Sequence, residues 1–174
     1  MDRVFLDANI LFSAAYRVET PLRTLFSLPR TQLVTSAYAL EEAKRNLSSG
    51  QQRAELERLC RSAEVVSVLP PQGELSILET LPENDRPILW AAISVRATHL
   101  LSGDFKAFGR FYGQTINRVS IIPPAVYLTS GLSQREPTVM ASVQGVGTSH
   151  QRLHDRVSGL RRFPGKIFWL DPEG

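Results

Sequence analysis

The feature that most narrows the fold of this chain is a repeated switch of apolar period over its first 131 residues. Residues 4–6 form a short apolar run ending on Asp7, and residues 8–16 then place Ile10, Leu11, Ala14 and Ala15 at helical spacing. Thr20 before Pro21 reads as a helix start, with Leu22, Leu25 and Phe26 as its stripe. A second strand is expected at 32–35. Ser36 then caps a helix carrying Ala37, Leu40, Ala43 and Leu47, which Ser49 and Gly50 are expected to end. A charged amphipathic helix at 52–61 leads to a third strand through Val65, Val66 and Val68 and a Pro-Pro break. After a loop at 78–84, Asn84 is expected to cap a helix reaching Arg96, with Ile88, Leu89, Ala92 and Val95 inward. Strands follow at 98–101 and 119–122, and a short helix opens at Pro123 and Pro124. Strands alternating with helices imply an α/β domain, a mainly parallel sheet covered on both faces.

Beyond Gly131 the pattern fails. The chain has 174 residues, 43% of them hydrophobic and 21% charged, which suits one domain and a remainder. The domain is therefore 1–131, and 132–174 is expected to be an irregular or flexible extension. A lone Cys60 cannot form an internal disulfide, which points to a reducing, cytoplasmic setting. Asp2, Arg3 and Asp7 break up the amino terminus where a signal peptide needs an apolar run, and no stretch approaches the length of a membrane span. The net charge of +3 is too mild to argue for nucleic acid, and two of the three charges fall in 132–174.

Acids placed just after strands carry the chemistry. Ligands of parallel sheets gather outside the strands' carboxyl ends. Asp7 follows the first strand and Asp104 the fourth, Asp85 opens the helix entering the fourth, and Glu42 lies on the helix after the second. Converging carboxylates repel one another unless a hard divalent cation, Mg²⁺ or Mn²⁺, screens them, and such an ion can activate water against a phosphodiester. Singly, each acid also reads as a helix start, a turn former or a solvated charge.

The blocks VFLDANIL, TSAYALEEAKRNL, ENDRPILWAAI and THLLSGDFKAFGRFYG, in that order, resemble the PIN-domain ribonucleases, particularly VapC-like toxins of toxin–antitoxin pairs. That resemblance implies a three-layer α/β/α sandwich, a Mg²⁺ or Mn²⁺ site on Asp7, Glu42, Asp85 and Asp104, RNA hydrolysis, a cognate antitoxin and homodimerisation. Counting six residues from Ser36 selects Glu42 over Glu41. Asn9 and Ser102 match polar positions that support the pocket in relatives. Many relatives carry another acid shortly after the final aspartate, where this chain has Phe105, Lys106 and Ala107.

For the substrate, Lys106 and Arg110 offer phosphate contacts and Tyr112 a stacking surface, with Arg45 and Arg86 nearby. The phenylalanines at 105, 108 and 111 read first as core and second as base-stacking residues. The alternative function is a catalytically weak PIN-fold module that binds RNA or protein. A haloacid-dehalogenase-like phosphatase needs an acid where Asn9 stands, and no P-loop, GxGxxG or GxSxG occurs. His150 and His154, four apart, are too few for zinc, and His99 reads as structural.

Overall fold

The computed structural model describes residues 1–69, 76–133, 160–163 and 166–169. The first half comprises β1 (Asp2–Leu6), α1 (Ala8–Tyr16), a 3₁₀ segment (Pro21–Ser27), β2 (Thr31–Ser36), α2 (Ala37–Asn46), α3 (Gly50–Cys60) and β3 (Ala63–Val66). Then come α4 (Ser76–Glu79), a 3₁₀ turn (Glu83–Asp85), α5 (Arg86–Ser94), β4 (His99–Leu101), α6 (Phe105–Phe108), β5 (Thr115–Ile116), β6 (Val119–Ile122) and α7 (Pro124–Ser133). Leu160–Phe163 (β7) and Lys166–Trp169 (β8) form a separate antiparallel pair.

The six strands run in the order β3-β2-β1-β4-β6-β5, all parallel to their neighbours except β5. Helices sandwich this sheet in three layers, α/β/α. Right-handed crossovers place α1, α2 and α3 on one face and α5 on the other. The chain steps outward from β1 through β2 to β3, then returns past β1 to β4 and continues to β6. Strand order therefore reverses between β1 and β4, and that switch point is where open α/β sheets bind ligands.

The carboxyl-terminal parts of β1 and β4 are apolar because both of their faces are covered. Val4, Phe5 and Leu6 of β1 and Leu100 and Leu101 of β4 are fully buried, with Phe5 opposite Leu100 and Leu6 opposite Leu101. β3, at the sheet edge, instead exposes Glu64 and Val65.

Several boundaries differ from the sequence reading, each for a local reason. Ser49 and Gly50 open α3 instead of closing α2: Ser49 and Gln52 make a reciprocal capping box. α5 starts at Arg86, so Asn84 lies in the preceding 3₁₀ turn and Asp85 takes the N-cap position. It stops at Ser94 because Arg96 turns left-handed, φ 54°, and Ala97 N–H closes onto Ala92 O at 2.9 Å. β5 was unforeseen: its hairpin to β6 turns on Asn117 and Arg118, both at positive φ, without the glycine that normally announces such a turn.

α7 runs on through Gly131 to Ser133, across the expected domain boundary. Within the segment expected to be irregular, β7 and β8 are paired. His150, His154 and the Pro-Pro break lie outside the described residues. The apolar stripe of α3, Leu56 and Leu59, is buried in this chain's own core, so it is not a free dimerisation face. Among the described residues no helix is long and apolar enough to cross a membrane.

Candidate active site

Asp7 and Asp104 emerge from the two strands at the switch point. β1 ends at Leu6, and Asp7 N–H still reaches Leu101 O across the sheet at 3.1 Å. Asp7 caps α1: Oδ1 accepts from Ala8 N–H at 2.6 Å. Its Oδ2 accepts from Asn9 Nδ2 at 2.7 Å and from Ser102 Oγ at 2.6 Å. Asp104 caps the short α6, Oδ1 accepting from the Lys106 and Ala107 amides at 3.0 and 3.1 Å. The plain structural reading was a helix start for Asp7 and a turn former for Asp104; both occupy N-cap positions.

Ser102 joins them. While its hydroxyl donates to Asp7, its oxygen accepts from Asp104 N–H at 3.1 Å and from Asn9 Nδ2 at 3.2 Å, which uses one donor and two lone pairs. Asn9 is held in turn because its Oδ1 accepts from Gly103 N–H at 2.8 Å. All four of these polar side chains are buried. Residues more than ninety apart in sequence thus share one hydrogen-bond network.

Tyr112 occupies a different place from the one expected. It is half-buried, and its hydroxyl donates to Ser102 O at 2.9 Å, underneath the network. Burial first, then the negative charges of Asp7 and Asp104, hold its phenol proton well beyond the ordinary tyrosine range. No spacing in the sequence marks this role, because the contact is to a backbone carbonyl.

Glu42 and Asp85 are buried on neighbouring elements. Glu42 is buried on α2, whereas Glu41 is exposed and pairs with Lys44 at 3.3 Å. Asp85 sits at the start of α5 but makes no side-chain cap bond, so helix capping does not account for it. Tyr38 on α2 donates to Asn84 O at 3.1 Å, tying the start of α2 to the turn that presents Asp85. Thr35, unforeseen, pins the end of β2 to Leu6 O at 2.9 Å. Among the described residues, no three acids, histidines or cysteines stand close enough to enclose one ion. Asp7 and Asp104 are brought together through Ser102, and neither Glu42 nor Asp85 joins them in a cluster of three among the described residues.

Lys106 and Arg110 are exposed and line an open groove of about 820 Å³ with Phe105, Thr80, Leu81 and Pro82. Phe108 and Phe111 are core, as expected, but Phe105 is 64% exposed, against the core reading. Arg86 donates to Leu81 O at 3.2 Å and is committed to that turn, while Arg45 is exposed on α2. His99 bonds Thr98 Oγ1 at 2.9 Å and packs against Tyr127, a structural role. Burial pushes the Cys60 thiol up to about 11, which keeps it protonated near neutral pH.

The fold is that of PIN-like α/β/α sandwiches. The chain superposes on the crystal structure of VapBC2 from Rickettsia felis bound to a DNA fragment from their promoter, with a TM-score of 0.55 and 20% identity, over 70% of this chain and 98% of that one. No family model and no curated protein matches the sequence. At that identity the likeness shows the fold alone.

Proposed function

We propose that this chain is a divalent-metal-dependent endoribonuclease of the PIN type, with Asp7 and Asp104 as its central acids and Glu42 and Asp85 as its outer ones. The observation that carries the reading is the buried Asp7–Ser102–Asp104 network at the point where strand order reverses. Asp104 is buried without an ion-pair partner among the described residues, and its described hydrogen bonds use only Oδ1. A buried carboxylate kept without a cation fits a site that receives one.

The donor chemistry suits Mg²⁺ or Mn²⁺, since every candidate ligand is a carboxylate oxygen. Mg²⁺ commonly binds through one or two carboxylates plus waters and substrate phosphate, so a joined pair fits without a closed protein shell. When bound, the ion supplies an activated water and screens charge at the scissile phosphate. The protein's own contribution is positional. Ser102 and Asn9 fix the Asp7 carboxylate, the α6 amides fix Asp104, and Glu42 and Asp85 add negative field that favours a cation.

The VapBC2 complex motivates a further part of the proposal, that the chain is the toxin of a pair and is held by a cognate antitoxin, in a cytoplasmic setting. A second reading, a PIN-fold RNA-binding or protein-interaction module with weak catalysis, draws on the absence of a three-acid cluster among the described residues. Purified full-length protein incubated with total RNA and Mn²⁺ separates the two. Cleavage that stops on chelation and in Asp7→Asn supports the nuclease; equal cleavage in both proteins, or none in wild type, supports the module.

A further inference from the structure

Phe105 follows Asp104 directly, yet its ring is largely in solvent, where phenylalanine is seldom left. One face of the ring is nevertheless covered. A Cβ on Gly109 would stand 2.8 to 2.9 Å from three consecutive ring atoms, Cγ, Cδ2 and Cε2, so the Gly109 backbone lies over the ring face and not at its edge. Only glycine allows that approach. Tyr112 meets the same ring edge-on, centroids 6.1 Å apart and planes at 62°.

One face of Phe105 is thus backed by the chain, and the ring also lines the groove that holds Lys106 and Arg110. Neither cation forms an ion pair among the described residues, and the Arg110 guanidinium is propped 4.7 Å from the centre of the Phe111 ring. A held aromatic face flanked by two uncompensated cations matches an unpaired polynucleotide strand, whose bases stack and whose phosphates need positive charge. A duplex hides its base faces, and an apolar peptide leaves both cations without partners.

We infer that Phe105 is a base-stacking platform for a single-stranded stretch of RNA next to the carboxylate pair, with Lys106 and Arg110 contacting its phosphates. This rests on the RNA-directed reading above and goes beyond it by assigning Phe105 as the residue that stacks the bases.

The test is binding by the full-length protein, in chelator and therefore without turnover, of a fluorescent unpaired oligoribonucleotide, its duplex, and a 2-aminopurine version. Phe105→Ala should weaken single-strand binding at least about fivefold and remove the 2-aminopurine quench, while Phe105→Trp keeps both. Lys106→Gln with Arg110→Gln should lower the slope of log affinity against log salt by about 1.4, two phosphates' worth. Gly109→Ala should displace the ring and behave like Phe105→Ala at an unchanged unfolding midpoint. Wild-type affinity in Phe105→Ala, equal affinity for the duplex, or capture of an acidic peptide in place of the strand overturns the assignment. The two proposals fail separately. Phe105-dependent binding with Asp7-independent cleavage sinks only the nuclease, whereas Asp7-dependent cleavage with full binding by Phe105→Ala sinks only the platform.

Discussion

The two ends of β1 handle charge in opposite ways. At the amino end, Arg3 pairs with Glu64 at 3.1 Å in partial solvent, and Asp2 accepts from the Tyr127 hydroxyl at 3.0 Å. At the carboxyl end, Asp7 and Asp104 are buried and held by Asn9, Ser102 and backbone amides, all neutral donors. Opposite charge cancels at one end. At the other, the hydrogen bonds that hold the two buried carboxylates come from uncharged groups, the electrostatic contrast on which the proposed cation site rests.

The largest effect should come from removing that charge. Asp7→Asn keeps a side chain of similar size but is expected to lower Mn²⁺-dependent cleavage on the order of 10³-fold, the scale of a lost metal contribution. Wild-type activity in this variant would make the two ends of β1 equivalent.

Ser102→Ala takes out the hub without touching a carboxylate. Asp7 Oδ2, Asn9 Nδ2 and Asp104 N–H each lose a partner, so urea unfolding should show a loss of about 2 kcal/mol. Metal affinity, followed by Mn²⁺ titration, should fall about 10- to 100-fold. A stability loss without an affinity loss would reduce Ser102 to packing.

The tyrosines at the two ends sharpen the comparison further. Tyr112 and Tyr127 both have phenol pKa values raised above the ordinary 10.0, chiefly by burial. Below pH 10 both states keep the proton, and above it the unfolded chain releases protons that the folded chain retains, so stability falls as pH rises past 10. For Tyr127 the Thr31 hydrogen bond works against the raise, whereas at Tyr112 two acids add to it. Tyr112→Phe should therefore flatten the alkaline decline of the unfolding midpoint more than Tyr127→Phe. Near neutral pH, Tyr112→Phe should cost about 1 kcal/mol for the lost bond to Ser102 O.

The smallest effect belongs to the exposed pair. Glu64→Gln should change stability by at most about 0.5 kcal/mol, and 1 M salt should erase the difference.

Much of this was legible along the chain. The apolar runs at β1, β2, β4 and β6 and the spacing of α1, α2 and α5 gave the alternation, because central strands and inward helix stripes are dictated by burial on known periods. Asp7, Asp85 and Asp104 stood out by their position after strands or at a helix start, and Glu42 by the spacing of the PIN-domain block it resembles. The misreadings have physical sources. Ser49 is a capping residue that serves the helix after it as readily as it could have ended the one before. The Asn117–Arg118 turn holds positive φ without glycine. Phe105 looked like core because aromatic residues usually are, and whether a ring meets solvent depends on which helix turn carries it.

The sequence by itself determined the α/β order, which follows from residue type and local period, while Asn9, Ser102 and Glu42 were singled out by the resemblance to PIN-domain blocks. Only the tertiary structure decided that Asp7 and Asp104 share Ser102, that Glu42 and not Glu41 is buried, that Tyr112 points beneath the network and that Phe105 points out of it. Periodicity specifies what a residue's own element does with its side chain, whereas contacts between residues over ninety apart depend on strand order and register, and those are fixed by the packing of the whole sheet.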